Sequence, residues 1–142
     1  MSSKLLSKSV RACVVATLFA MPLMAWSADH VVNVGQGGNV FVPDTVNARV
    51  GDTITFNNVG ASPGFHNVRS DGPTFTFRCA NGCDGAGGNG SPSSTNWTAT
   101  VTVSAVGTGI FYCEIHGGPN GAGMAGTLNV TLPVELQSFD VE

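Results

Sequence analysis

Short segments in which apolar and polar residues alternate run through most of the chain. In the clearest one, Thr53 to Asn57, Ile54 and Phe56 alternate with threonines, the period of a strand with one buried face. Similar segments rich in Val, Thr and Phe are separated by glycine-containing turns. They span residues 29–34, 45–50, 66–68, 74–78, 97–103, 109–113 and 125–131. The pattern predicts an all-β fold, a two-sheet sandwich of seven to eight strands, without a long helix.

Two neighbouring segments, Thr45 to Val50 and Thr53 to Asn57, are joined only by Gly51 and Asp52. A two-residue connection between alternating segments is typical of a β-hairpin. We therefore expect these two strands to pair with each other in antiparallel fashion.

The amino-terminal segment has the layout of a secretory signal. Three basic residues precede an apolar run from Ala12 to Ala25, and small residues follow it. The run is too short to span a bilayer. We expect residues 1–28 to be a signal peptide cleaved after Ser27 or Ala28, and the mature protein to be periplasmic or secreted, with no membrane span. The alternative is a retained amphipathic anchor.

The remaining chain has the length of a single domain, which we place at residues 29–131. Residues 132–142 form a carboxy-terminal tail that keeps several apolar residues, so it adds an edge strand or contacts another chain. Removal of the signal leaves three arginines against nine acidic residues, a net charge of −6. This balance argues against nucleic acid as a partner.

Three cysteines remain after cleavage: Cys79, Cys83 and Cys113. In an oxidising compartment the odd one is either reactive or bound to something. A disulfide between Cys79 and Cys83 fits that compartment and leaves Cys113 as a free thiolate. The alternative is a second metal site that uses Cys79 and Cys83, although no histidine lies near them in the sequence.

Residues with metal-binding chemistry are concentrated near the end of the domain. Cys113 ends a predicted strand, His116 comes three residues later, and Met124 lies beyond a glycine-rich loop. His66 offers a second imidazole from another strand. Alone, each would more often be a surface histidine, a buried cysteine or a core methionine. Together, a thiolate, two imidazoles and a weak thioether form the donor set of a blue-copper electron-transfer centre.

From about Asp29 through Thr131 the chain resembles the plastocyanin and pseudoazurin branch of the cupredoxins. The matching segments are Phe41-Val42-Pro43, residues 50–57, His66-Asn67-Val68, Tyr112-Cys113 with His116, and Gly123-Met124-Ala125-Gly126. The resemblance implies a Greek-key sandwich and one copper ion cycling between Cu(I) and Cu(II). It also implies that Asn67 holds the ligand loop through hydrogen bonds and that Tyr112 lies on a possible electron route.

The chain departs from the family pattern in the loop between His116 and Met124. Gly117 to Gly123 place seven residues between these two, more than the family's common spacing. The three other ligands are unaffected. The departure bears on the axial contact of Met124, and therefore on the reduction potential.

The function expected from this donor set is one-electron transport by a small monomer. Its partner would be another redox protein, such as a c-type cytochrome or a copper oxidoreductase, bound weakly and transiently. With three histidines in the chain, and His30 interpreted as a surface residue, further copper centres have no ligands, so we expect no enzymatic activity. The alternatives are an extracytoplasmic copper carrier or buffer that uses the same site, and a metal-free interaction module.

Overall fold

Two β-sheets face each other across one apolar core in the computed structural model, which describes residues 26–60 and 63–133. The described residues contain ten strands and no helix: β1 (Asp29–Val34), β2 (Phe41–Val42), β3 (Thr45–Arg49), β4 (Thr53–Asn58), β5 (Val68–Asp71), β6 (Thr76–Ala80), β7 (Gly82–Cys83), β8 (Trp97–Thr102), β9 (Gly107–Gly117) and β10 (Gly123–Thr131). The four-stranded sheet has the order β2-β1-β4-β8, and the six-stranded sheet has the order β3-β10-β9-β5-β6-β7. The predicted all-β sandwich is confirmed.

Three phenylalanines tie the two sheets together at the centre of the core. Phe41 and Phe56 belong to the four-stranded sheet, whereas Phe111 belongs to the six-stranded sheet. The ring centroid of Phe111 lies 5.0 Å from that of Phe41 and 5.4 Å from that of Phe56, both in edge-to-face contact. Such aromatic pairs add to the free energy gained by burying their area. The core therefore joins the strands that carry the candidate site to the opposite sheet.

The expected pairing of β3 with β4 is wrong. β3 pairs in parallel with β10, and β4 pairs in parallel with β1. Each of the two strands buries one face, as Val46 on β3 and Ile54 on β4 show. These faces cover the same core from opposite sides, which requires the strands to lie in different sheets. The Gly51-Asp52 turn is therefore a corner between the sheets, and Gly51 adopts a φ of 98° there.

Two strand boundaries near the candidate site differ from the prediction. β9 extends beyond Cys113 to Gly117, so that Cys113 and His116 lie on one strand. His66 precedes β5 and forms an isolated bridge with Ser93. This bridge consists of two backbone hydrogen bonds, 3.2 Å from the His66 N–H and 3.0 Å to the His66 carbonyl.

The predictions for the two ends of the chain fall largely outside the described residues. Residues 1–25 of the expected signal peptide and residues 134–142 of the tail are not described. Within residues 26–60 and 63–133, no helix combines the length and hydropathy needed to cross a bilayer. The cleavage site and the added edge strand stay predictions.

Candidate metal centre

Three potential metal ligands from separate parts of the sequence converge at one end of the sandwich. The Cys113 Sγ lies 3.7 Å from the His66 Nδ1 and 3.6 Å from the His116 Nδ1. The two Nδ1 atoms are 3.1 Å apart. All three atoms lie within 4.8 Å of one another. Three of the four residues predicted as ligands therefore meet in space.

The separations fit a single bound metal ion. An ion about 2.0 Å from each nitrogen and about 2.3 Å from the sulfur, with bond angles of about 100–120°, needs N···S separations of about 3.3–3.7 Å and an N···N separation of about 3.1–3.5 Å. The observed values, 3.7, 3.6 and 3.1 Å, lie within these ranges. A thiolate with two imidazoles also suits copper chemically. The residues present therefore fit the predicted cofactor.

The ring of His66 is confined by two glycines from different loops. A Cβ atom added at Gly64 would lie 2.1 Å from the His66 Nε2, and one added at Gly35 would lie 2.6 Å from it. Atoms cannot approach so closely, so a side chain at either glycine would displace the His66 ring. The two glycines therefore leave the space that His66 needs to point its Nδ1 at Cys113.

Met124 lies where the ladder between β9 and β10 is interrupted. Gly123 pairs with Gly117 and Ala125 pairs with Tyr112, so the stretch from Cys113 to His116 stands opposite Met124 alone. Met124 is 1% exposed and belongs to the core. The irregularity brings the fourth candidate residue beside the strand segment that carries two of the donors. Its role as a ligand stays a prediction.

The longer loop between His116 and Met124 closes as a hairpin. The Gly118 N–H donates to the Ala122 carbonyl at 3.0 Å, and the Gly121 N–H donates to the Gly118 carbonyl at 3.1 Å. Gly121 has a φ of 77°, a conformation that favours glycine. The additional residues are therefore taken up by a hydrogen-bonded turn at the tip.

The donors differ in their exposure. Cys113 is 0% exposed and His66 is 2% exposed, whereas His116 is only partly buried. Burial, and secondarily the neighbouring His116, lower the pKa of His66. The neutral imidazole that a metal requires is therefore favoured at His66. His116 is the donor closest to solvent.

Asn67 connects the two ligand segments, as the resemblance implies. Its side-chain carbonyl accepts a 3.0 Å hydrogen bond from the Glu114 N–H. Its amide group donates to the Gly90 carbonyl at 2.9 Å and to the Glu114 carboxylate. Asn67 therefore links the residue after His66 to the residue after Cys113.

Glu114 is a functional candidate that the sequence analysis missed. Its carboxylate accepts hydrogen bonds from the Arg69 Nη1 at 2.6 Å and from the Arg78 Nε at 2.8 Å. Burial raises the pKa of Glu114, but the hydrogen bonds from Arg69, Arg78 and Asn67 outweigh it and lower the pKa overall. The available signal was a carboxylate directly after Cys113, in a strand segment whose neighbours are aromatic or apolar.

Tyr112, expected on an electron route, is a buried residue of β9 directly before Cys113. Its hydroxyl donates to the Asp71 carboxylate. Burial, and then this hydrogen bond, raise the pKa of Tyr112. The contact fixes the tyrosine ring on β9, and its role in electron transfer stays a prediction.

The cysteine pairing agrees with the sequence analysis. Cys79 and Cys83 form a disulfide, whereas Cys113 carries a free, buried thiol. Because both sulfurs of the pair are consumed, the alternative of a second metal site at these cysteines is wrong. Cys113 remains available as a thiolate ligand.

Proteins similar to this chain in sequence or in structure include plastocyanins and pseudoazurins. No family model matches the chain. Plastocyanin from the chloroplast of Pisum sativum is 31% identical over 137 residues, which cover 87% of this chain and 79% of the plant protein. Among solved structures, the oxidised plastocyanin of Dryopteris crassirhizoma is 28% identical, with 71% of this chain and 99% of that chain covered and a TM-score of 0.46. The pseudoazurin of Methylobacterium extorquens AM1 is 26% identical, with 72% and 74% covered and a TM-score of 0.46. On the extent and identity of the match to the Pisum plastocyanin, the chain belongs to the cupredoxin family.

Proposed function

We propose that this protein binds one copper ion through His66, Cys113 and His116, with Met124 as a weaker fourth ligand, and that it carries single electrons. The observation that supports the proposal is the convergence of the three donor atoms at separations of 3.1–3.7 Å. Bound copper supplies a one-electron couple between Cu(I) and Cu(II).

The contribution of the protein is to hold the donors in nearly one arrangement. Cys113 and His116 are fixed on β9 within the six-stranded sheet, and His66 is confined by Gly35 and Gly64. The buried positions of Cys113 and His66 exclude water from that side of the site. A rigid, dry set of ligands reduces the rearrangement that accompanies each change of charge.

Electrons would enter and leave on the side of His116. Close to it in the chain are Ile115, 53% exposed, and the small residues of the hairpin between Gly117 and Gly123. Phe65, beside His66, is 50% exposed. An apolar, weakly charged rim suits brief contact with another redox protein, a kind of interface that is typically small.

The proposed location is outside the cytoplasm, in the periplasm or the medium. The Cys79–Cys83 disulfide supports it, because such bonds persist in oxidising compartments. The proposal assigns the chain no catalytic reaction of its own: it transfers electrons between partners.

Titration of the purified protein with Cu(II) tests the assignment directly. We expect an intense blue colour at one equivalent, because thiolate coordination by Cys113 gives strong visible absorption, and we expect Cys113→Ser to abolish it. Met124→Leu should keep the colour but shift the reduction potential, since the axial ligand controls it. A Cys113→Ser variant that stays blue would refute the ligand set.

Electrochemistry distinguishes an electron carrier from a copper carrier that uses the same site. An electron carrier shows a reversible one-electron couple with rapid self-exchange and keeps its copper in the presence of an acceptor. Transfer of the copper itself to an acceptor, without a reversible couple, would contradict the proposed function.

A further inference from the structure

A closed ring of hydrogen bonds lies behind two of the three donors. We call it the Glu114 ring, and its members are Asn67, Arg78, Asp84, Gly90 and Glu114. Glu114 contacts the Nε of Arg78 at 2.8 Å, and the Nη1 of Arg78 contacts the Asp84 carboxylate at 3.1 Å. Asp84 also accepts from the Gly90 N–H at 2.7 Å. Asn67 closes the ring through the Gly90 carbonyl and the Glu114 carboxylate.

The ring touches the metal centre through the backbone. Asn67 directly follows His66, and Glu114 directly follows Cys113. The Glu114 N–H donates to the Asn67 side chain at 3.0 Å, so these two members of the ring join the two ligand segments directly. Neither Arg78 nor Asp84 adjoins a donor in the sequence. The side chains of these two residues reach the ligand segments through the hydrogen bonds of the ring.

The disulfide holds together Arg78 and Asp84, two members of the Glu114 ring. Cys79 and Cys83 lie between Arg78 and Asp84 in the sequence, and their bond holds β6 against β7. The Asp84 N–H donates to the Arg78 carbonyl at 2.9 Å. Gly90 packs against the same backbone, since a Cβ there would lie 2.2 Å from the Arg78 carbonyl oxygen. These contacts join the glycine-rich segment that follows Cys83 to the backbone of β6 at Arg78.

We propose that Glu114, Arg78 and Asp84 are positioning residues of the metal centre, which act through the Glu114 ring to hold the Cys113 and His66 segments at the separation that a single ion requires. This inference rests on the proposed function. It gives the segment closed by the disulfide a role in metal binding, although the segment contains none of the ligands.

The arginine at position 78 is needed for its shape as well as its charge. Its guanidinium uses two different nitrogens to reach two carboxylates, Nε for Glu114 and Nη1 for Asp84. A lysine keeps the charge but presents a single ammonium group, which cannot reproduce this fork. Arg78→Lys therefore breaks the ring while the net charge of the protein is unchanged.

The matched control is Arg49→Lys, the same change at an exposed position on β3. We would prepare both variants from the chain without its first 26 residues, which lacks Cys13 and leaves Cys113 as the single free thiol. Two measurements apply: the rate at which iodoacetamide alkylates Cys113 in metal-free protein, and the affinity for Cu(II) with its electron paramagnetic resonance spectrum.

We expect Arg78→Lys to weaken copper binding about tenfold, the lower end of the effect known for residues that support metal ligands. Its resonance spectrum should change, and Cys113 should be alkylated several-fold faster than in Arg49→Lys. Glu114→Gln removes the central carboxylate and should have a larger effect of the same sign. Circular dichroism establishes that each variant is folded before it is compared.

Equal alkylation rates, copper affinities and spectra in Arg78→Lys and Arg49→Lys would overturn the inference. Failure of the proposed function would look different: the unmodified protein would not turn blue with Cu(II), whereas Arg78→Lys would still expose Cys113 to iodoacetamide. The metal-free measurement therefore tests the positioning role separately from copper binding.

Discussion

At the scale of single residues, the most demanding fit is that of the His66 ring between Gly35 and Gly64. Gly35 has a φ of 73°, so a side chain there would suffer backbone strain as well as collision. At Gly64 the obstacle is space alone, because the nearest atoms to an added Cβ are those of the His66 ring. Gly64 therefore offers a substitution whose effect passes directly through a candidate ligand.

We expect Gly64→Ala to displace the His66 ring, to weaken copper binding at least about tenfold, and to destabilise the fold by about 1–3 kcal/mol, the usual cost of overpacking a filled site. Copper titration and urea unfolding measure the two effects. The control is Gly118→Ala, since nothing lies within 4 Å of a Cβ added there. Equal copper affinities of the two variants would contradict this account of His66.

The candidate ligands, and Asn67 through the family resemblance, could be predicted from the sequence, whereas Glu114 and Gly64, which support them, could not. Cys113, His116 and His66 belong to residue types with few roles in a chain of this composition, and their order is informative. Glu114 and Gly64 depend on contacts between segments far apart in the chain. Nothing in the local pattern around Glu114 shows that Arg69 and Arg78 will face it, because that follows from strand register.

At the scale of strands, the alternating pattern located the elements but not their partners. β3 and β4 each have the period of a half-buried strand, and the short turn between them favoured a hairpin. Two strands with this period can equally be joined at a corner between two sheets. Because the apolar faces of β3 and β4 are buried in the same core, the two strands lie in different sheets and the turn between them is such a corner. The break in the β9–β10 ladder was also invisible in the sequence, because it depends on which residues pair.

The disulfide between β6 and β7 gives a prediction at this scale. Replacing both Cys79 and Cys83 by alanine should lower the free energy of unfolding by about 2 kcal/mol, the chain-entropy value for so short a closed loop. Urea unfolding of the metal-free protein measures it. The control is the single variant Cys83→Ala kept in reductant, which also lacks the Cys79–Cys83 disulfide. Unchanged stability in the double variant would mean that the backbone hydrogen bonds from Asp84 to Arg78, at 2.9 Å, and from Gly88 to Cys83, at 3.2 Å, suffice to close this turn.

At the scale of the whole molecule, Asp52 anchors the amino-terminal segment to the corner between the sheets. Its carboxylate accepts hydrogen bonds from the backbone of Ala28 and Arg49 and contacts the His30 Nε2, each at 2.9 Å. His30, expected as an ordinary surface histidine, is thus a partner of a buried acid. The fold class was predictable, but the contacts with His30 and Ala28 were not, since these residues are 22 and 24 positions away from Asp52 along the chain.

The anchor makes the stability of the fold depend on pH. Hydrogen bonds from His30, and from the Ala28 and Arg49 N–H groups, outweigh burial and lower the pKa of Asp52 from 3.8 to about 2. An acid whose pKa is lower in the folded state stabilises the fold above its unfolded pKa and loses that contribution as the pH falls towards the folded value. The stabilisation is therefore complete at neutral pH and disappears between about pH 4 and pH 2.

Asp52→Asn should reveal this contribution in protein that retains Ala28. We expect a loss of about 2–3 kcal/mol at pH 7, from roughly 1.4 kcal/mol for each unit by which the pKa is lowered. The difference between variant and unmodified protein should shrink as the pH falls below 4, because the unfolded chain then takes up a proton at Asp52 that the folded chain takes up only near pH 2. Urea unfolding at pH 7, 4 and 2.5 measures it, with the exposed Asp29→Asn as the control for lost charge. A difference of the same size at pH 2.5 as at pH 7 would show that Asp52 acts through its shape and not through its charge.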